Sequence, residues 1–513
     1  MIRFDKGMLL VILLSVVINF FNLGAIPLLD PDEPVYAETP KEMFQYNEFM
    51  SPRIYGEYWY DKPPLYYWLV AGSYKLFGVN EFAARFPSAL LAVVSAAAVY
   101  VFTRRWLGDR AAIFSGLVLA TSIEYFYLAK AAVTDITLVS CLTFALLCFW
   151  DKRYYWAYFF AGLATLAKGP IGLLFPGGIL ACYLLLSREF GLLLRMKLGS
   201  GMLVYSIVAL PWYWFMYKMH GNAFIDTFIG FHNVTRFTSP EHPEGVLWYY
   251  YIPVLVLGFF PWIALLPQAL WRAIDTRGEK GQLMLFLTIW ASFIFLFFSV
   301  SQTKLVSYIL PMYPPLAILV GWYIAQLSEQ YPKPRPYCWA IGLTVMSVLL
   351  GGGMLFGLKE MPQLAHGVYM QLSVLVAMMA AVWWFVWRKD YAWAVGVKVT
   401  AMTAFAIILV GVMFPIAAPL FTSKDIATEL TRQYDGKSSL YVIKFLRPGV
   451  SFYSGLYGSE IKTESELQEA LGKEGKAYYL IRKSEYSHLP DALRIQTKVL
   501  ADVDDKILLE KSR

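Results

Sequence analysis

Between Leu29 and Trp68 the chain reads LDPDEPVYAETPKEMFQYNEFMSPRIYGEYWYDKPPLYYW, setting Asp30, Asp32, Glu33, Glu38 and Lys62 among Tyr and Trp rings between two apolar regions. Charges kept beside hydrocarbon are costly, so they point to chemistry, a charged ligand or a solvated hinge. A carboxylate in this stretch could take a proton from an incoming nucleophile, and a lysine could hold a departing phosphate on the other side of the reacting carbon. Lys62 suits the second role because Pro63 and Pro64 restrict where its ammonium points. Asp32 suits the first. Each also has a plainer reading: Asp30-Pro31-Asp32 could cap a helix beginning near Pro34, and Lys62 could be an interfacial lysine with a buried stem. Tyr36, near Asp32, could hydrogen-bond a phosphate or sugar or simply anchor the chain at an interface.

Further along, Asp135 opens an apolar stretch, where an unpaired carboxylate would cost about 2.5 to 3.5 kcal/mol if central. It therefore needs a partner or a wet cavity, or it only caps the helix after Thr134. His232, Arg236, His242 and Glu244 share a polar segment. With Asp61, the two imidazoles could hold a divalent ion, although their spacing fits no metal motif. Lys304 and Tyr308 in KLVSYILP are expected one helical turn apart and so on one face. Lys168, between two short apolar segments beside Gly169 and Pro170, is expected at the outer surface near lipid headgroups, without a catalytic role.

The elements that must carry these residues are membrane spans. Of 513 residues 58% are hydrophobic, 17% aromatic and only 16% charged, far from the composition of soluble domains. Apolar runs of about 20 residues, enough to cross a roughly 30 Å hydrocarbon layer, recur to about Leu420. Thirteen are expected: 8-28, 85-104, 111-129, 134-150, 154-168, 170-187, 198-217, 246-270, 282-300, 306-327, 337-357, 370-387 and 393-417. Alternate short loops carry Arg104, Arg105 and Arg110, then Lys152 and Arg153, then Arg188, Arg195 and Lys197, and so on to Arg388 and Lys389. By the positive-inside rule the N-terminus is cytoplasmic. An odd number of spans then leaves residues 29-68, the 218-246 loop and the C-terminal region outside, where no nucleotide is expected. A transferase on that face must use a donor delivered by the membrane.

From about Thr422 the composition turns polar, which divides the chain into a membrane domain, 1-421, with amphipathic helices over about 29-84, and a small extracytoplasmic α/β domain, 422-513. Within the latter, spacing predicts helices at Asp425–Tyr434 and Glu464–Leu471, and strands at Ser439–Phe445, Ala477–Arg482 and, as a pair, in Thr497–Glu510. The net charge of +7 is accounted for by the cytoplasmic loops, so no nucleic-acid partner is called for. Cys141, Cys148, Cys182 and Cys338 fall inside predicted spans without metal-type spacing. Most of the aromatic residues fit interface anchoring.

Several separated pieces share a pattern: DEPVYAETPKEM at 32-43, YWYDKPPLYYW at 58-68, AAVTDITLV at 131-139, AKGPIG at 167-172, RFTSPEHPEGVLWYYYIPVLVLGFFPW at 236-262 and TKLVSYILPMYPPLA at 303-317. In order and predicted side they resemble the bacterial protein O-mannosyltransferase and lipid A aminoarabinose transferase family. That resemblance implies a GT-C fold and inverting transfer of a sugar from a polyprenyl-phosphate donor, undecaprenyl phosphate in bacteria, at the outer face of the inner membrane. It implies Asp32 and Asp135 as the acidic residues of the outer loops. It also implies Lys62, with Tyr36, Arg236, Lys304, Tyr308, Glu33, Trp59 and Tyr60, around the donor phosphate and sugar. The acceptor, whether lipid A, another envelope glycan or a protein, is not legible. A monomer is expected, and no cofactor beyond the divalent ion weighed above. The chain departs from aminoarabinose transferases at Val35, where an Arg is usual, and at Trp59, where a Tyr is usual. Arg53, Arg236 and Lys304 are candidates to compensate for the lost phosphate contacts. Two other classes remain: a transporter of lipid-linked sugars, for which internal repeats and mid-membrane charges would be expected, and a family member that binds without catalysing.

Overall fold

The computed structural model describes residues 5–239, 247–327 and 336–511. Two compact units divide the chain. The first comprises Met1–Phe21, Tyr60–Tyr66 and Pro87–Met413, and the second Asn22–Trp59, Tyr67–Phe86 and Phe414–Arg513.

The first unit is all helix. A helix or bent helix pair lies at each of the thirteen expected spans, but among the described residues only seven helices are long and apolar enough to cross a membrane, or nine if each bent pair is one span. The remainder are short: Lys6–Phe20, Asp135–Trp150 and Ile171–Ser187 are apolar but under 18 residues, and Tyr154–Lys168 has 15. Long spans present apolar stripes outward. On Leu198–Phe224, Leu203, Ile207, Leu210 and Trp214 recur at helical spacing and are all exposed, a surface that suits hydrocarbon and would be unfavourable in water.

Small residues let the inner helices touch. Gly321 of Tyr313–Leu327 meets the backbone of Ser115 in Asp109–Ala120, where a Cβ would clash. The bends also have local causes. Between Asp109–Ala120 and Ile123–Ala129, which meet at 65°, Thr121 and Ser122 turn their hydroxyls back onto the carbonyls of Leu117 (2.6 Å) and Val118 (2.7 Å), a pairing that bends helices. Pro170 then opens Ile171–Ser187 after Gly169, whose φ of 89° no side-chain-bearing residue adopts easily. Gly172 lies directly on the backbone of Thr165, so the turn after Lys168 is tight.

The second unit contains a two-stranded ribbon, β1 (Arg53–Ile54) with β2 (Glu57–Tyr58), and a five-stranded sheet of β3 (Ser439–Ile443), β4 (Ser459–Ile461), β5 (Ala477–Arg482), β6 (Thr497–Val503) and β7 (Lys506–Lys511). The sheet order is β4-β3-β5-β7-β6. β3 runs parallel to β4 and β5, while β7 is antiparallel to β5 and β6. β5 reads AYYLIR, buried almost throughout, as a central strand covered on both faces should be. Helices Lys424–Gln433 and Glu464–Gly472 and strands β3, β5, β6 and β7 fall within a few residues of the positions expected from spacing. Helix Arg447–Ser454 and strand β4 were not anticipated, since neither carries a clear period. The compact unit is also larger than 422-513, because residues 22–59 and 67–86 cluster with it.

Candidate functional site

In the first unit, Asp61 is the hub of one charged cluster. Lys62 Nζ donates to Asp61 Oδ1 at 2.7 Å, and His232 Nδ1 lies 2.8 Å from the same oxygen. All three side chains are nearly enclosed, between 11% and 13% exposed. Burial alone would push the Asp61 carboxyl up, but the Lys62 ammonium and the His232 imidazole outweigh it and hold the group well below the usual carboxylate range. Lys62 is aimed by Pro63 and Pro64, which precede helix Leu65–Phe77. His232 arrives on a widened helical turn, Ile225–Thr235, that continues Leu198–Phe224 past a break at Gly221 (φ 56°). The Tyr60 ring packs against His220 (5.3 Å) and Phe224 (5.9 Å) on the same helix.

The second cluster is Asp135 with Lys168. Lys168 Nζ donates to Asp135 Oδ1 at 2.7 Å, both side chains nearly enclosed. The ammonium also sits 5.2 Å from the centre of the Tyr308 ring, and Asp61 lies within its electrostatic reach. Asp135 thus has the partner its position demanded. Lys168 is corrected: it is not a surface lysine at the headgroups but the counter-charge of Asp135, delivered by the tight Gly169-Pro170 turn. The signal was present, a cation beside two helix-breaking residues, but its partner lies 33 residues away in the chain.

Lys304 and Tyr308 are not one turn apart on a helix, because Leu305 is extended and the helix starts at Val306. Lys304 is buried and donates to Ser301 O at 2.7 Å, while Tyr308 packs on Phe298. Arg236 opens a single turn, Arg236–Thr238, and its side chain lies outside the described residues, as do His242 and Glu244 altogether. Among the described residues no three His, Cys, Asp or Glu side chains converge as a metal site would require; Asp61 and His232 meet with Lys62 on the same oxygen.

In the second unit, Asp32 is the exposed first residue of helix Asp32–Gln45. The cap reading fails in detail: Pro31 occupies the cap position, without a side-chain cap bond. Glu33, expected beside the donor, is paired with a buried arginine. Arg85 holds it from two nitrogens, Nε to Oε1 at 2.8 Å and Nη2 to Oε2 at 2.6 Å, and also donates to the carbonyls of Leu23, Ile26 and Pro27. Tyr36 stacks near Tyr67 at 6.1 Å, and the Trp59 amide donates to Pro52 O. Arg53 is enclosed by the rings of Tyr58 (3.9 Å) and Tyr46 (5.0 Å).

The residues of both charged clusters except His232 fall in one stretch that matches a known family, described as Dolichyl-phosphate-mannose-protein mannosyltransferase, over residues 61–215. Residues 61–215 are thus similar to that family. The fold agrees: the crystal structure of ArnT from Cupriavidus metallidurans bound to undecaprenyl phosphate superposes with a TM-score of 0.79 at 24% identity, covering 98% of this chain and 97% of that one. In sequence, a protein of Aquifex aeolicus is 33% identical over 336 residues, 64% of this chain and 66% of its own. The undecaprenyl phosphate-alpha-4-amino-4-deoxy-L-arabinose arabinosyl transferase 2 of Proteus mirabilis is 30% identical over 339 residues, 63% of this chain. The alignment spans 60% of that relative's length. The chain is accordingly a multi-pass membrane protein of GT-C fold, similar to polyprenyl-phosphate sugar transferases.

Proposed function

We propose that the protein is an inverting glycosyltransferase that moves a sugar from a polyprenyl-phosphate donor to an envelope acceptor on the extracytoplasmic face of the inner membrane. The observation that carries this reading is the Lys62-Asp61-His232 cluster beside the Asp135-Lys168 pair, four of whose five residues lie within the family match. Two ammonium groups held by carboxylates, in a setting that excludes most water, suit a departing phosphate. Lys62 has hydrogens left for such a ligand after its bond to Asp61, and Asp61 keeps it from swinging away. Tyr60 and Tyr308 line the same region of their unit; Tyr36, Trp59, Arg236 and Lys304 are proposed as further donor contacts on the resemblance alone.

Asp32 is proposed as the base that takes the acceptor proton. Asp32 stands exposed at a helix start, whereas its neighbour Glu33 is buried and held by Arg85. The four helices shorter than 18 residues are proposed to cross the membrane as well, giving thirteen spans. A cytoplasmic N-terminus and an outward-facing α/β region from 422 to 513 follow, and the protein is proposed to act as a monomer.

Mass spectrometry of lipid A, envelope glycans and polyprenyl-linked sugars in cells lacking the protein tests the reading. A sugar missing from one acceptor while its lipid-linked donor accumulates, restored by wild type and not by Asp32→Asn, supports it and names both substrates. Rescue by Asp32→Asn, or a donor pool stranded on the cytoplasmic side, favours a binding protein or a transporter instead.

A further inference from the structure

Helix Asp32–Gln45, which opens on Asp32, is poorly equipped to hold itself. No side chain caps its start, and Pro40 stands in its interior, where it removes a backbone hydrogen bond. The support comes from the C-terminal part of the same compact unit, through helix Arg447–Ser454 and its flanks. Ahead of Asp32, the Leu28 amide donates to the Tyr453 hydroxyl at 2.7 Å, and Ser423 Oγ donates to Asp30 Oδ2 at 2.5 Å. Gly449 lies so close to the Asp30 carboxyl that a Cβ there would clash with it. Midway along, Lys41 pairs with the buried Glu38 at 3.0 Å and donates onward to Phe452 O at 3.1 Å, in the last turn of Arg447–Ser454, where a cation is favoured. Near the end, the buried Glu42 accepts from the amides of Tyr55 (2.6 Å) and Gly56 (3.0 Å), the two left-handed residues of the β1-β2 turn. The Arg447 guanidinium lies 3.9 Å from the centre of the Tyr55 ring.

The helix is thus fastened before its first residue, along its length and at its end, and each fastening leads to the one C-terminal helix or its flanks. Such bracing matters most for a reacting group, because a misplacement of about 1 Å costs a reaction on the order of a hundredfold. We propose that helix Arg447–Ser454 is a positioning element of the transferase, which holds the Asp32 helix so that the Asp32 carboxylate stays set for the acceptor. Arg447 is a positioning residue: it acts through the Tyr55 turn and Glu42 and not on substrate. The role of Asp32 in this inference rests on the glycosyltransferase reading above; the fastening itself does not. Lys62, the proposed phosphate ligand, belongs to the other compact unit. Loosening the Asp32 helix should therefore slow turnover and leave donor affinity in place.

Two variants of the full chain in lipid nanodiscs test this, with a third as control. Arg447→Leu removes the cation from Tyr55, and Gly449→Ala, which suits a helix better than glycine, disturbs the seat of Asp30. Leu467→Ala weakens the core of the C-terminal region from helix Glu464–Gly472, which is bonded to the sheet region through Tyr479 and Lys511. Hydrogen-deuterium exchange should rise across residues 32–45 in the first two variants and not in the control. Turnover of undecaprenyl-phosphate sugars should fall about tenfold or more in the first two, while the affinity for undecaprenyl phosphate stays within about twofold of wild type, and Arg447→Lys should restore most of the rate. Unchanged exchange across 32–45 in both variants overturns the inference. So does a control that loosens 32–45 and slows turnover as much as they do, or a loss of undecaprenyl phosphate affinity that accounts for the whole fall in rate. If wild type turns over no undecaprenyl-phosphate sugar, the transferase reading fails and the positioning role with it, while the exchange pattern still decides whether Arg447–Ser454 braces the helix.

Discussion

Asp135 and Lys168 illustrate how the sequence informs at the level of single residues. The need for a partner could be argued from Asp135 alone, because a lone carboxylate at the end of an apolar helix is expensive. Which lysine supplies it could not, because the pairing depends on how two neighbouring helices are set against each other. The same holds for Glu33 and Glu124, whose partners Arg85 and Tyr313 lie 52 and 189 residues away. Short motifs reveal residue types, and long-range pairing then decides which carboxylates are fastened and which are open. Lys168→Met should leave Asp135 buried without its counter-charge and cost about 3 to 5 kcal/mol. Asp135→Asn in the same background should recover a substantial part of that loss, because the uncompensated charge is gone. Thermal unfolding of the detergent-solubilised variants measures both, and additive losses would mean the two groups do not interact.

Helices were the most legible elements. Each apolar run became a helix or a bent pair, and the strands of the C-terminal region lie close to where alternation put them. What spacing did not reveal was length and breakage. Thr121-Ser122 and Gly258 to Pro261 split two apolar runs, the second by 104°, and Leu305 delays the helix that carries Tyr308. Such breaks depend on single hydroxyls, glycines and prolines, to which hydrophobic periodicity is blind. Close packing of the unbroken helices depends on equally small features. Gly321→Leu should force Tyr313–Leu327 away from Ser115 and its helix, destabilising the protein by roughly 1 to 3 kcal/mol or more. Gly352→Leu, at a position with nothing within 4 Å of an added Cβ, serves as the control in the same unfolding experiment and should change little. Equal losses from the two would remove the packing argument.

Across the whole molecule, composition alone announced a membrane protein, while the grouping of residues 22–59 and 67–86 with the C-terminal region was invisible, since nothing in a sequence marks segments some 350 residues apart as one compact unit. Asp30 belongs to that unit. Burial pushes its carboxyl up to about 7, with the hydrogen bond from Ser423 and the charge of Lys506 opposing in part. The folded protein therefore holds a proton that the unfolded chain releases near pH 4, so this group makes stability fall as pH rises between about 4 and about 7. Asp30→Asn should flatten that part of the Tm-against-pH curve, and an unchanged slope would show that Asp30 titrates normally. Donor turnover is the most direct consequence of this architecture to observe. The purified full chain in nanodiscs would be given a panel of undecaprenyl-phosphate sugars with an envelope extract as acceptor source, and release of undecaprenyl phosphate followed by mass spectrometry. The result expected is turnover of at least one donor by wild type, none by Asp32→Asn despite intact donor binding, and donor binding weakened about tenfold or more by Lys62→Ala. Every donor left intact by wild type, or wild-type turnover by Asp32→Asn together with unchanged donor affinity in Lys62→Ala, would contradict it.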